Sequence, residues 1–215
     1  MKQKIIQQGA EAIISLQDNQ IIKDRIKKSY RLPEIDNKLR TRRTKAEAKI
    51  IDKLSNIINV PKIIKEDKEK KQIIMQFIDG KKLSEYLEKL DWKEICKQIG
   101  EHLTKLHNQN IIHGDLTTSN MIYKDNKKEN SNEKESSKEE RSCLYFIDFG
   151  LGFHSHKIED KAVDLHLLKQ ALDAKHYKIA DKCFKIILQN YKADKHDFII
   201  KRISAIEKRG RYKGH

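Results

Sequence analysis

The string His113-Gly114-Asp115-Leu116-Thr117-Thr118-Ser119-Asn120 sets an Asp five residues ahead of an Asn, in a polar stretch after a helical apolar pattern. In a loop, this spacing can bring a carboxylate to an acceptor hydroxyl and an amide oxygen to Mg2+, the arrangement of kinase catalytic loops. Small-molecule kinases share the string, and its plainer reading is a polar turn. Twenty-eight residues after Asn120 comes Ile147-Asp148-Phe149-Gly150, at the end of an apolar run. A carboxylate leaving a strand there can serve the metal between β- and γ-phosphates, while the Phe packs beneath and the Gly lets the chain turn. Asp-Phe-Gly alone is a weak signal. Behind an Asp-x-x-x-x-Asn loop, on the second half of a hairpin, it is a strong one.

Phosphoryl transfer also needs a strand lysine on the phosphates and a helical glutamate on the lysine. Lys23, in Ile21-Ile22-Lys23-Asp24-Arg25, is read as the single inward-pointing cation of its strand, with Lys27 and Lys28 outside the apolar run. Glu47 is the one acidic residue between Asp36 and Asp52, within a helical pattern. These choices predict a Lys23–Glu47 ion pair, Asp115 as catalytic base, and Asn120 with Asp148 as metal ligands, for ATP and Mg2+. A glycine-rich phosphate loop is almost absent. Gly9, in Gln7-Gln8-Gly9-Ala10-Glu11-Ala12, is left to bring backbone close to a nucleotide. The adenine edge is expected along the backbone of Gln76 to Ile78, with Met75 at the back of the pocket.

Two absences carry information. Position 114 is Gly where regulated protein kinases have the Arg that grips a phosphorylated activation loop. Fifteen residues separate Asp148 from Asp164, with no Ala-Pro-Glu between them. A peptide-holding platform is therefore largely missing, and activity should not wait on loop phosphorylation. Asp164, in Lys161-Ala162-Val163-Asp164-Leu165, is a candidate to cap the catalytic loop's backbone from the following helix, or else an ordinary helix-terminal carboxylate.

The elements that must position these residues are strand-like first and helical later. Ile5-Ile6, Ala12–Leu16 and Gln20–Arg25 are short β-type runs, with Asp18-Asn19 as a turn. Residues 37–55 take helical spacing, with Leu39, Ala46, Ile50 and Leu54 on one face and Pro61 beyond the end. Gln72–Ile78 reads as a strand closed by Asp79-Gly80. A short helix follows from Ser84, and a longer one from the N-cap Asp91, with Glu94 completing a capping box, to about His107. Met121–Tyr123 and Leu144–Ile147 form a hairpin interrupted by a run without apolar residues, expected to be disordered over 124–142. Three helices fill 160–209. The expectation is an α+β, bilobal protein-kinase-like fold, with a small β-rich N-lobe (1–78) and a reduced helical C-lobe (79–215) ending in a basic tail.

Composition narrows the partners. Of the 215 residues 36% are charged and the net charge is +14. The hydrophilic run Lys124–Arg141 contributes nothing to that excess, since its six basic residues match six acidic ones. Residues 38–49 hold six basic residues against Glu47, and 195–213 hold seven against Asp197 and Glu207. Two such patches point to a polyanion, RNA before membrane, although a lysine-rich solvated surface would look similar. No apolar run is long enough for a membrane span, and the N-terminus lacks the pattern of a signal peptide. Cys96, Cys143 and Cys183 lack metal or redox spacing and read as reduced intracellular thiols, two of them packed in helices.

The strings QGAEA (8–12), IIKDR (21–25), YRLPEID (30–36), RTKAEAK (43–49), IIHGDLTTSNMI (111–122), IDFGL (147–151), EDKAVDL (159–165) and terminal RGRYK resemble the small atypical kinase subunit of the KEOPS/EKC complex. The likeness covers the chain apart from the insertion at 124–142. The resemblance implies a kinase-fold ATPase, cytoplasmic and nuclear, using ATP and Mg2+. Its partners would be the threonylcarbamoyl-transferase subunit, the other KEOPS/EKC subunits, and tRNA reading A-starting codons. It also implies Ser/Thr phosphorylation of itself and of some proteins. Carried across, Lys23 is the ATP lysine, Glu47 its partner, Asp115 the base, and Asn120 and Asp148 the metal ligands. Arg209, Arg211 and Lys213 match the family's basic tail, where Tyr212 replaces a residue that is often basic. A free-standing Ser/Thr protein kinase, a silent tRNA-binding scaffold and a small-metabolite kinase are the competing readings. The intact catalytic set opposes the scaffold, the missing platform opposes the free kinase, and the short helical part opposes the metabolite kinase.

Overall fold

The structure, a computed structural model, describes residues 3–125 and 142–211, the last three by backbone alone. Apart from its ends, the insertion at 124–142 lies outside the described residues, as does Lys213. An antiparallel sheet comes first: β1 (Lys4–Gln8), β2 (Ala12–Gln17), β3 (Gln20–Arg25), β4 (Ile63–Asp67) and β5 (Gln72–Gln76), in the order β1-β2-β3-β5-β4. The tight β2–β3 turn uses Asp18 and Asn19, both at positive φ (49° and 58°), which short polar side chains tolerate. Central β3 pairs on both sides, so Lys23 stands opposite Ile14 on β2 and Ile73 on β5.

Helix α1 (Pro33–Leu54) starts four residues before the expected position, because Pro33 supplies a preset φ and Glu34 and Asp36 favour the first turn. Its buried side also differs from the apolar spacing. Ala46 is exposed, while Asp36, Thr44 and Glu47 are buried beside Ala48, Ile50, Ile51 and Leu54. The polar residues turn inward because each meets a fixed partner there, Asp36 accepting from Arg40 Nε at 2.7 Å and Thr44 donating to Arg40 O at 2.9 Å. Strand β4 escapes the alternation rule: its Ile-Ile-Lys-Glu-Asp sequence runs along the sheet edge, and a register shift between Ile63 and Lys65 leaves adjacent Ile64 and Lys65 exposed. Strand β5 stops at Gln76, two residues short of the expected end.

The remainder is helical around two smaller sheets, one of three strands and one of two. It runs through β6 (Lys81–Lys82), α2 (Leu83–Tyr86), α3 (Trp92–Asn108), β7 (Ile111–Ile112), β8 (Met121–Lys124), β9 (Cys143–Phe146) and β10 (Phe153–His154). Helices α4 (Ile158–Lys175), α5 (Ala180–Asn190) and α6 (His196–Arg211) complete it. Asp91 caps α3 by accepting from Glu94 N at 3.3 Å. The β8–β9 hairpin sets Met121 opposite Phe146 and Tyr123 opposite Leu144, and β6 adds a third strand. The core is apolar side chains of α3, α4 and α5 closed over by Phe146 and Phe149. Cys96 and Cys183 are buried within α3 and α5. Among the described residues no helix is long and apolar enough to cross a membrane.

One core histidine makes this fold sensitive to acid. His102 on α3 packs edge-on to Phe146, with ring centroids 5.6 Å apart. Burial, with help from Lys105, pushes it down to about 4. The unfolded chain takes up a proton near pH 6.5 and the folded one does so only near 4, so its contribution is whole above 6.5 and is lost as pH falls between those values. A shift of that size corresponds to about 3 kcal/mol. His102→Leu should therefore keep more of its Tm on going from pH 7.5 to pH 5 than the parent chain does; parallel losses in thermal scans would refute this.

Candidate active site

Strand alternation puts Lys23 and Arg25 on the same face of β3. Both are buried, at 6% and 4% exposure, so the strand carries two inward cations and not one. Glu47 (1% exposed) reaches them from α1. Lys23 Nζ lies 2.6 Å from Glu47 Oε1, and Arg25 Nη2 lies 2.6 Å from Glu47 Oε2. Lys23 Nζ is also 2.6 Å from Asp148 Oδ1, joining the first sheet to the Asp-Phe-Gly segment. Burial pushes the Lys23 amine down, but Glu47 and Asp148 more than offset it, so the group sits above its ordinary value. Burial likewise raises Asp148, and Lys23 reverses it, leaving that carboxyl below its usual range.

Asp148 holds a left-handed backbone (φ 60°), which turns its side chain away from the strand direction. A Cβ on Gly150 would lie 3.0 Å from Asp148 Oδ1 and 3.3 Å from Lys23 Nζ, so glycine keeps that corner open for the ion pair. Phe149 is buried against the His113 ring, with centroids 4.6 Å apart.

The catalytic-loop candidate is anchored from below. Asp164, fully buried on α4, accepts from His113 N at 2.6 Å and from Gly114 N at 2.9 Å. This is the capping role expected from its position in the sequence. His107 Nε2 stands 3.4 Å from the same carboxylate, and His107 Nδ1 lies 2.7 Å from the Tyr191 hydroxyl. His113 Nε2 lies 3.1 Å from Ile147 O, fixing the loop to the strand that delivers Asp148. At the loop's far end Asn120 Nδ2 donates to Asp115 O at 2.9 Å and to Asp115 Oδ2 at 2.8 Å. The five-residue spacing thus closes a turn on itself, with Asp115 half-buried at its mouth.

A cavity of about 220 Å³ opens between the two parts of the fold. Apolar Ile14, Ile21, Met75 and Ile78 line it together with Lys23, Asn120 and Asp148, and Gln76 joins the wall. A flat apolar slot with convergent polar groups suits a nucleotide base and its phosphates. Ile6 and Gln7 reach the wall from β1, whereas Gly9 and Asp115 do not line it. Gly9 N donates to Ala12 O at 2.9 Å, closing the β1–β2 turn. That turn is tied to α1: Glu11 Oε2 accepts from Arg43 Nη1 at 2.7 Å, and Arg31 lies 3.5 Å from its other oxygen. Arg25 and Glu11 belong to no motif that marks them in the sequence. The two-residue period of β3 was the available signal for Arg25; nothing local marks Glu11.

The donor set fits Mg2+. Asp148 and the Asn120 amide have oxygens that would suit it as ligands, since that ion keeps several waters and takes the rest from phosphate. The Asp148 side chain is 46% exposed, so it has an oxygen to offer beyond its contact with Lys23. Of the basic cluster on α1, Arg40 and Arg43 are engaged by Asp36 and Glu11. Lys38, Arg42, Lys45 and Lys49 are exposed, at a spacing that sets them along one side of the helix. The side chains of Arg209 and Arg211 lie outside what is described.

Residues 4–183 match the ABC1 atypical kinase-like domain. The chain is 41% identical to the KEOPS complex subunit Bud32 of Pyrococcus abyssi, over 98% of its own length and 96% of that protein's. It belongs to the Bud32 family. It is also 40% identical, over 97% of its length, to a probable bifunctional tRNA threonylcarbamoyladenosine biosynthesis protein of Methanobrevibacter smithii, of which it covers 36%. A Bud32-type chain thus spans about a third of such bifunctional relatives. Among solved structures, the Rio2 kinase of Chaetomium thermophilum, in its ADP/Mg2+-phosphoaspartate complex, superposes with a TM-score of 0.55 at 16% identity, covering 96% of this chain and 70% of that one. WaaP, in complex with acyl carrier protein, gives 0.58 at 12% identity, covering 96% and 88%. Both share the α+β kinase-like fold of this Bud32 family member.

Proposed function

We propose that the chain carries out Mg-ATP-dependent phosphoryl transfer, as ATP hydrolysis with Ser/Thr autophosphorylation, in support of tRNA threonylcarbamoyladenosine formation within a KEOPS/EKC-type complex. One observation carries the chemistry: Lys23 from the first sheet meets both Glu47 and Asp148, while Asn120, which lines the same cleft, holds Asp115 within its loop. The partners in this reading are the threonylcarbamoyl-transferase subunit, other KEOPS subunits and tRNA. They are supported by the names of the Bud32 and bifunctional relatives. The chain divides at residue 78 into two lobes with the nucleotide between them.

Asn120 and Asp148 would hold Mg2+, which when bound draws charge from the β- and γ-phosphates. Lys23 keeps Glu47 and exchanges its Asp148 contact for phosphate oxygens. Asp115, with Oδ2 fixed by the Asn120 amide, has its other oxygen to orient water or a Ser/Thr hydroxyl and to take its proton. Gln76 to Ile78 offer backbone to the adenine edge beside Met75. The segment after Asp148 turns at once into β10, paired with β7, which leaves little room for a peptide platform and favours hydrolysis over a free-standing kinase.

The test is ATP turnover with Mg2+ for the chain alone, with tRNA, and with the transferase subunit. Turnover in none of the three would refute the reading. For the RNA side, removing residues 209–215 (Arg209, Arg211 and Lys213 among them) should weaken tRNA binding and flatten its salt dependence by roughly two to three phosphate contacts. An unchanged slope would take the tail out of the interface.

A further inference from the structure

A buried histidine that does not line the nucleotide cavity still reaches its machinery. His176, the residue that ends α4, is 3% exposed, and its ring Nε2 stands 3.3 Å from Thr118 Oγ1. Thr118 is itself buried and opens the 3-10 turn Thr118–Asn120, whose last residue clasps Asp115 with its amide. At the other ring nitrogen, His176 Nδ1 lies 3.7 Å from Oε1 of Glu88, in the turn after α2. Burial holds the imidazole below its ordinary value in spite of Glu88, so the ring is neutral at neutral pH. A neutral ring has one N–H. The carboxylate draws it to Nδ1, which leaves Nε2 to accept from the Thr118 hydroxyl. The backbone of residue 176 is fixed as well, its N donating to Leu172 O at 2.7 Å and its O accepting from Ile179 N at 2.9 Å. Helix α4 with its capping residue thus grips the Asp115 loop twice, at its start through Asp164 and towards its end through His176.

We propose that His176 is a positioning residue for phosphoryl transfer: through Thr118 it sets the 118–120 turn, and with it the Asn120 amide and the Asp115 carboxylate that this amide holds. The proposal rests on the phosphoryl-transfer reading of the cleft and adds a second anchor to the loop, one that acts on its metal-binding end. H176F keeps a ring in the same space and removes both nitrogens. It should lower kcat about tenfold or more, with a smaller change in KM for ATP, because the turn no longer rests where the chemistry needs it. H176Q carries an amide near the place of Nε2 and should recover part of that loss. T118V should match H176F, and the double variant should cost little more than either, since His176 acts through Thr118. A ring that merely fills space predicts otherwise: an unchanged kcat in H176F at temperatures well below its Tm, or losses that multiply in the double variant, would overturn the proposal.

Melting curves give a readout that needs no turnover. H176F and T118V should each lower Tm by roughly 2–5 °C, the loss of one buried hydrogen bond, and the double variant should melt within about 1 °C of the less stable single. Tm losses that simply add would also overturn the proposal, because the two side chains would then not be acting on one another. If the parent chain turns over no ATP, the phosphoryl-transfer reading itself fails; additive melting losses beside an active parent sink the assignment of His176 alone.

Discussion

Asp115→Asn should lower ATP turnover by roughly two to four orders of magnitude, the usual contribution of a positioned general base, while Tm stays within about 2 °C. The separation of the two effects follows from the local geometry. Asn120 Nδ2 donates to both Asp115 O and Asp115 Oδ2, and an asparagine at 115 keeps an amide oxygen to accept the second of these bonds. The turn keeps its shape and loses the proton acceptor. Single-turnover assays with saturating Mg-ATP would isolate the chemical step. A normal rate would remove Asp115 from its assigned role.

Asp164→Leu should be the most damaging of these substitutions to the fold. The carboxylate is completely buried and accepts from two consecutive backbone N–H groups, at 2.6 and 2.9 Å. Leucine fills similar space and strands both donors, at about 1–3 kcal/mol each and more where the acceptor was charged. A total near 4 kcal/mol corresponds to a Tm fall of about 10 °C for a domain of this size. Turnover should fall by roughly a hundredfold as well, because residues 113–115 lose the anchor that sets their register. Thermal denaturation beside assays below the new Tm separates the two losses. A fall below about 2 °C would mean that the loop amides find other acceptors.

Much of this site was legible in the chain because its residues sit in short fixed spacings. Asp115 and Asn120 close one turn, and Asp148 leaves a strand whose partner, β8, starts next to Asn120. Lys23 and Glu47 are far apart in sequence, yet Lys23 stands out as a cation within an apolar strand run and Glu47 as the one acidic residue between Asp36 and Asp52. That logic was incomplete for β3. Arg25 has the parity of Lys23, and an inward Lys23 implies an inward Arg25 unless the strand bulges. On α1 the buried face was drawn from apolar residues, but Asp36 and Thr44 are buried against Arg40 of the same helix and Glu47 against Lys23 and Arg25 of β3, pairings that apolar spacing does not contain. Likewise Gly9 was assigned to the nucleotide from its lack of a side chain, whereas Ile6 and Gln7 reach the cavity wall. Strand β4 went unseen because Ile63 and Ile64 are adjacent and a register shift between Ile63 and Lys65 breaks the two-residue period.

Gly114 bears on how such a chain could ever come under phosphate control. Its backbone is left-handed (φ 78°), and a Cβ there would lie 2.4 Å from Leu151 O, so the loop holding Asp115 rests directly on the main chain just past Asp-Phe-Gly. No side chain of any size fits between them. An arginine able to read a phosphorylated loop therefore cannot be installed at 114 by a single exchange; the contact with Leu151 would have to be rebuilt first. A phosphate-reading switch in this chain would have to be built at a position other than 114.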